Sequence, residues 1–296
     1  MADVELFGRR LILGHVEAVL HQAGAAGAVP TPLDQVAVAA GAREVIDIGE
    51  LPEDLISKKP KAWRRILGAY LFRSETVFID GSQPEGRQRF IKAHELGHRI
   101  LPWQRDAFYL DNDARLFRHA EEQFEAEANL AAAFLLFQGR RFHERALDFE
   151  DSLKTPLLLA SEYAASLHAT FRFYAEHHPE AVALIVAGYL ARQDGTVPVW
   201  TTVESPAFAV RFGPLSAWFP DRALRVLGDD ASPLGTLAWD ARRTGELTEK
   251  LVRLTDLAGS KAVCKAEAFS NQHCLFVFVS PHRLVRTGRQ VRFKAG

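Results

Sequence analysis

Residues 82–102 of the chain have the sequence SQPEGRQRFIKAHELGHRILP, and this segment carries the clearest fold signal in the protein. Ser82 followed three positions later by Glu85 is the pattern of a capping box, which marks the start of a helix. Pro84 lies between them, where a proline is tolerated. Pro102 cannot continue a helix, so the helix should stop before it. The segment therefore predicts one helix that contains residues 90–100.

The letters HELGH at residues 94–98 form the pattern H-E-x-x-H. Residues four apart on a helix lie on one face, so His94 and His98 can reach a single cation. Zinc favours imidazole ligands, and catalytic zinc sites use three protein ligands and leave one position open for water. Glu95 is placed to take the proton from that water as it attacks a peptide carbonyl. The pattern predicts a hydrolytic metal centre with Glu95 as its base.

A second helix, expected at residues 121–138, is rich in good helix formers and contains the candidates for a third ligand. By residue type alone, four glutamates compete for this role: Glu121, Glu122, Glu125 and Glu127. Asn129 lies one turn after Glu125 and is a candidate to orient the Glu125 carboxylate. The alternative is that the four glutamates form only a solvated helix face.

The rest of the pattern predicts an α+β chain. We expect helices at the amino end, one over residues 6–20 and one behind Thr31 and Pro32, and two or three short helices between Phe142 and Pro179. β-Branched and aromatic runs predict strands at residues 45–48, 68–72, 77–79, 197–200, 274–279 and 291–293. The first three should form a small antiparallel sheet.

Composition excludes several classes of protein. The formal net charge of -1 provides no general basic field for nucleic acid. The longest apolar run, at residues 181–191, is shorter than the ~18 to 20 residues of a membrane span. The first ten residues carry Asp3 and Glu5 instead of a basic signal-peptide start. Cys264 and Cys274 are too few for a disulfide framework, so we expect buried reduced thiols in a soluble cytoplasmic protein.

Three segments together resemble the ImmA/IrrE family of metallopeptidases: RQRF at residues 87–90, AHELGH at residues 93–98 and EAEANLA at residues 125–131. The resemblance implies a zincin-like domain in which His94, His98 and Glu125 bind zinc and Glu95 is the catalytic base. It thereby favours Glu125 over the other three glutamates. Two histidines and one carboxylate also suit manganese or iron, and zinc is the default.

The chain departs from this family at two places next to the ligand-bearing helices. Many relatives continue to Met-Pro after the second helix, where Phe137 and Gln138 stand here. A histidine often follows the first helix, where this chain has Pro102 and Trp103. Both departures lie outside the predicted ligand set, so they bear on the shape of the pocket more than on its chemistry.

The wider arrangement resembles the family's radiation-response regulators. This implies a metallopeptidase domain at residues 1–145, a helix-turn-helix-like segment at residues 146–185 and a GAF-like sensor domain at residues 186–296. It also implies an endopeptidase that cleaves a helix-turn-helix transcriptional repressor and so induces a DNA-damage or radiation response. The GAF-like class often holds a small-molecule signal, and a purely structural or dimerising role is the alternative.

The helix-turn-helix-like segment does not have the charge of a DNA-binding face. Residues 151–180 carry four acids and two bases, a net charge of -2, whereas a phosphate-binding face should be basic. We expect this segment to bind protein, or only to pack the peptidase against the next domain. Two rival functions remain: a DNA-binding regulator with a structural or vestigial metal site, and a metal-dependent hydrolase of another substrate. An intact Glu95 counts against the first, because a structural site needs no base.

Overall fold

The computed structural model describes residues 2–47, 67–71, 74–104 and 117–282, and it has the mixed α+β composition that the sequence predicts. The chain divides into two compact units. The first contains Met1–Glu150 and Lys154–Phe173, and the second contains Asp151–Leu153 and Tyr174–Gly296. Within the described ranges, no helix has both the length and the apolar character needed to cross a membrane. The three-part division at residues 145 and 185 stays a prediction.

The first unit is mainly helical. Its helices, including α7, which continues into the second unit, are α1 (Ala2–Gln22), α2 (Leu33–Ala39), α3 (Glu85–Ile100), α4 (Phe117–Phe137), α5 (Arg140–Ala146), α6 (Lys154–Glu162) and α7 (Leu167–Glu176). Its strands are β1 (Glu44–Asp47), β2 (Gly68–Leu71) and β3 (Thr76–Ile79). Helices behind Thr31 and at both metal-ligand segments were expected from the hydrophobic period, which depends only on neighbouring residues.

The start of α3 differs from the capping box that the sequence suggests. The N-cap residue is Pro84, which makes no side-chain capping bond, and the helix begins at Glu85. The Ser82 hydroxyl instead donates to the Asp80 carboxylate at 2.6 Å. The capping-box prediction is therefore wrong, because the chain before Pro84 turns around Asp80 and takes the serine away from the helix. The predicted end before Pro102 agrees with the structure, since α3 ends at Ile100.

The small sheet has the strand order β1-β3-β2 and is mixed rather than antiparallel. Strands β2 and β3 form an antiparallel pair, whereas β1 runs parallel to β3. A short connection between β2 and β3 permits only a hairpin, while the long segment that follows β1 lets the chain cross over. The expectation of a fully antiparallel sheet is corrected on this point.

Aromatic rings join the helices that follow the metal-ligand segment. The Phe137 ring lies 4.7 Å from Phe173 and 5.0 Å from Phe142, measured between centroids. Phe142 in turn contacts Tyr163 at 5.2 Å.

Along α7, only His168 and Arg172 are exposed. A helix with two exposed side chains has little surface to read base edges, so burial as well as charge argues against α7 as a DNA-recognition helix.

Gln138, one of the departures from the family, directly follows α4 and connects it by hydrogen bonds to the loop between α1 and α2. Its backbone has a φ of 51°. The side-chain oxygen accepts from the Gly27 N–H at 2.6 Å. The side-chain nitrogen lies 3.1 Å from the Ala25 carbonyl, 2.9 Å from the Ala28 carbonyl and 3.0 Å from the Thr31 hydroxyl. One amide therefore supports a loop that has no regular backbone ladder of its own.

We expect Gln138→Ala to lower the free energy of unfolding by about 2–3 kcal/mol, because the Gly27 N–H and the Ala28 carbonyl lose their Gln138 partner. Urea denaturation followed by circular dichroism measures this change. Gln138→Glu should be at least as destabilising, since a carboxylate would face the Ala25 and Ala28 carbonyls in place of a donor. Wild-type stability in both variants would contradict the assigned role.

The second unit contains an antiparallel six-stranded sheet in the order β6-β5-β4-β9-β8-β7. Its strands are β4 (Ala183–Gly188), β5 (Thr196–Glu204), β6 (Ala223–Arg225), β7 (Thr248–Thr255), β8 (Lys261–Ser270) and β9 (Cys274–Pro281). Helices α8 (Pro206–Phe212) and α9 (Pro233–Thr244) pack with the 3-10 helix Leu215–Trp218 into one apolar core with the sheet. The predicted strand at residues 291–293 lies outside the described residues.

Two predictions for the second unit are confirmed. The runs at residues 197–200 and 274–279 are strands, within β5 and β9. Cys264 and Cys274 are buried free thiols. Burial raises the pKa of Cys264, and it raises the pKa of Cys274 to about 11. These cysteines are apolar core residues in strands rather than nucleophiles.

Candidate metal centre

Two packed helices bring the predicted ligands together. Helix α3 carries the histidine pair and α4 carries the glutamates, and the two helices approach closely at Gly97. A Cβ built at Gly97 would lie 2.9 Å from the Ala128 carbonyl oxygen and 3.2 Å from the Ala131 Cβ. The glycine inside the HELGH motif is thus required by helix packing, because any side chain there would push α4 away from the histidines.

His94, His98 and Glu125 direct their ligand atoms at one point. The two Nε2 atoms are 3.1 Å apart. Glu125 places Oε2 3.2 Å from His94 Nε2 and Oε1 3.5 Å from His98 Nε2. In a tetrahedral site with bonds of about 2.0–2.1 Å, neighbouring ligand atoms are roughly 3.3 Å apart. The donor set therefore fits a zinc-sized cation, and it is the one such group among the described residues.

The structure separates three of the four competing glutamates. Glu125 faces the histidines, whereas Glu127 accepts from the Trp103 indole at 2.7 Å and Glu122 is exposed. The side chain of Glu121 lies outside the described part of the chain. The packing of α4 against α3 decides which glutamate faces the histidines, since residue type alone does not distinguish the four candidates.

Asn129 has a different partner from the one that we expected. Its side-chain oxygen lies 3.1 Å from Nδ1 of His94, so it orients a histidine rather than the Glu125 carboxylate. Gln104, which the sequence reasoning missed, places its side-chain oxygen 2.7 Å from Nδ1 of His98. Each ring then donates through Nδ1 and keeps the Nε2 lone pair for a cation. The available signal for Gln104 was a polar residue directly after the predicted helix end.

The charges within the site favour metal binding. Hydrogen bonds from His94 and His98 hold the pKa of Glu125 well below its ordinary value, so the carboxylate is ionised. Burial alone would lower the pKa of His98, but hydrogen bonds to Glu125 and Gln104 outweigh it and the pKa of His98 is raised. A divalent cation would replace the proton that these groups otherwise share, and its binding would release protons.

Glu95 lies beside this cluster, buried against strand β2. Glu95 is only 7% exposed to solvent. Burial raises the pKa of Glu95, while His94 and His98 partly oppose the rise. A Cβ built at Gly68 would lie 2.8 Å from Glu95 Oε1, so only a glycine lets β2 approach the carboxylate so closely. Gly68 is the second residue that the sequence reasoning missed, because nothing local distinguishes it from a turn glycine.

Fold and geometry together place an H-E-x-x-H group that could hold a metal on an α+β scaffold. The family model of the IrrE N-terminal-like domain, Peptidase_M78, matches residues 55–172. Residues 55–172 are thus similar to an IrrE N-terminal-like domain, and the resemblance seen in the sequence is confirmed. Among solved structures, a Mycobacterium tuberculosis transcriptional regulator is similar at 14% identity and a TM-score of 0.55, covering 90% of this chain and 76% of that one. This likeness concerns the fold alone. No curated protein matches the chain significantly.

Proposed function

We propose that the protein is a zinc-dependent endopeptidase and that its substrate is a helix-turn-helix transcriptional repressor. The observation that carries the enzymatic part is the buried Glu95 carboxylate beside three convergent ligand atoms. A structural metal site has no use for a base at that place. His94, His98 and Glu125 would hold the metal, with zinc as the default and manganese as the second choice.

The residues of the chain have separate tasks in this reaction. When bound, the metal supplies Lewis-acid activation of the carbonyl and of water. Glu95 takes the proton of the attacking water and returns it to the leaving amide nitrogen. Its raised pKa suits both steps, because a carboxylate of ordinary acidity would be a weaker base near neutral pH. The backbone N–H of Tyr70 donates to Glu95 and keeps the carboxylate against β2.

An extended peptide suits the surroundings of the site. Within the described sheet, β2 pairs only with β3, so its other side is an edge. Apart from the Tyr70 N–H, which donates to Glu95, an edge strand next to this carboxylate offers backbone groups to a peptide that adds as a further strand. This feature favours a protein substrate over the alternative of a small-molecule hydrolase.

The choice of a repressor as substrate comes from the resemblance to the deinococcal radiation-response regulator IrrE, also called PprI. That resemblance implies that the repressor is cleaved in the cytoplasm after DNA damage. The genes that it represses are then expressed. We further propose that the second unit is a GAF-like sensor that receives a small-molecule signal. The rival function, direct DNA binding, is disfavoured by the small exposed surface of α7 and by the net negative charge of residues 151–180.

The test is incubation of the purified zinc-loaded protein with a candidate helix-turn-helix repressor. We expect the repressor to be cut at one position, and a chelator to stop the cleavage. In parallel, promoter DNA binding by the full chain should be weak and should fall steeply with salt, as phosphate contacts do. Fluorescence anisotropy measures it. Tight, sequence-selective promoter binding without repressor cleavage would reverse the assignment and make the chain a DNA-binding regulator.

A further inference from the structure

A chain of hydrogen bonds runs outward from His98 through Gln104 to Glu127. Gln104 is completely buried. Its oxygen lies 2.7 Å from His98 Nδ1. Its nitrogen lies 2.8 Å from Glu127 Oε2 and 3.1 Å from the Phe124 carbonyl oxygen. The oxygen and both N–H groups of this buried amide thus each have a defined partner.

These contacts determine which way the amide faces. Both hydrogens of the Gln104 nitrogen have acceptors, namely Glu127 and the Phe124 carbonyl. Reversing the amide would place its oxygen against two other oxygens that cannot donate. The oxygen must therefore face His98, and His98 must carry its proton on Nδ1. The Nε2 lone pair then points at the metal centre.

Glu127 is itself held in place by donors. It accepts from the Trp103 indole at 2.7 Å and from the Gln123 amide at 2.8 Å, in addition to Gln104. Trp103 packs edge-on against His15 of α1, with ring centroids 5.6 Å apart. The carboxylate is thus a fixed acceptor that cannot turn toward the metal centre without leaving three donors unpaired.

We propose that Gln104 is a positioning residue, oriented by Glu127, that keeps His98 in the tautomer whose Nε2 faces the metal. This inference rests on the proposed metal centre. His94 has the corresponding partner in Asn129, but that side chain is exposed and its contact is longer, at 3.1 Å. His98 is therefore the firmly oriented ligand of the pair. The role of Glu127 is to hold Gln104 and not to bind the metal.

The first test uses the metal-free full chain at a pH above the raised pKa of His98, where the ring is neutral and long-range ¹H–¹⁵N NMR distinguishes its two tautomers. In the wild type we expect His98 to be the Nδ1–H form. In Gln104→Leu, which keeps the size but removes the acceptor, the His98 signals should shift toward the Nε2–H form. Asn129→Ala is the matched control and should alter His94 while leaving His98 unchanged. Unaltered His98 signals in Gln104→Leu would overturn the proposal.

The second test is zinc affinity, measured by competition with a chromophoric chelator. Gln104→Leu should bind zinc 10- to 100-fold more weakly, the usual effect of losing a partner behind a ligand. Gln104→Glu should also bind weakly, because two carboxylates would then face each other. The double variant Gln104→Glu with Glu127→Gln restores one charge and one donor, so it should recover affinity. A general packing role for Gln104 predicts no such recovery, and its absence would count against the proposal.

The two tests separate this inference from the proposed function. If the wild type binds no zinc, the metal centre is wrong, and the tautomer of His98 still shows whether Gln104 orients the ring. Glu122→Gln serves as the control, since Glu122 is an exposed side chain on the same helix and lies outside the hydrogen bonds that join His98, Gln104 and Glu127. It should keep most of the zinc affinity. A loss as large as that of Gln104→Leu would contradict the specific role of Gln104.

Discussion

The Glu95→Gln variant should lose peptide cleavage by about 10³-fold or more while keeping its fold and its metal. The amide has the same size as the carboxyl group and fills the same buried space beside β2. It cannot take the proton of the attacking water, so the barrier to the chemical step rises. The measurement is kcat on a cut repressor or reporter peptide, with metal content determined on the same sample.

The same variant should act as a substrate trap. Because Glu95 is not a ligand in our proposal, the variant should still bind the repressor while failing to induce the genes that the repressor controls. Glu122→Gln is a matched control, since it makes the same chemical change at an exposed position of α4. Its activity should equal that of the wild type. Cleavage by Glu95→Gln at the wild-type rate would remove Glu95 from the mechanism.

The second large effect concerns metal binding. We expect one divalent metal per chain in the wild type, and a fall in affinity of more than about 100-fold for His94→Ala or His98→Ala. Two remaining ligands hold zinc poorly, and even loss of an outer hydrogen-bond partner typically costs 10- to 100-fold. Dialysis followed by elemental analysis gives the metal content. Loading with manganese in the same experiment shows whether zinc is preferred.

The control for this series is His168→Ala. His168 is exposed and belongs to no group of metal-binding side chains among the described residues. Its removal should leave the metal content unchanged. Glu125→Ala should behave like the two histidine variants, and Glu122→Ala should behave like the wild type. Unchanged metal in both His94→Ala and His98→Ala would refute the site.

Local features of this protein were accessible from its sequence. The four-residue spacing of His94 and His98 on one helix face follows from the helical period, and so do the helix behind Pro32 and the helix that ends before Pro102. Strands β2 and β3 were also expected near their observed positions. Each of these depends on interactions within a few residues, which a short window of sequence contains.

Features that depend on how helices and strands pack together could not be predicted from a short window of sequence. The parallel pairing of β1, the turn around Asp80 that replaces the capping box, and the contact of Asn129 with His94 each involve a partner that local pattern does not identify. Gln104 and Gly68 were missed for the same reason. Their roles come from the carbonyl, carboxylate or ring that packing brings next to them.

The metal centre shows this division most clearly. From the sequence alone, the H-E-x-x-H pattern already predicts two candidate ligands and a candidate base, because one helix turn holds all three. The residue letters left four glutamates open as the third ligand, and the family resemblance pointed to Glu125. Only the tertiary structure shows Glu125 at the histidines, because Gly97 lets α3 and α4 approach closely enough for one face of α4 to reach them. The physical reason is that ligands from two helices come together only where the helices pack against each other. The side-chain volumes at that contact decide which residues face each other.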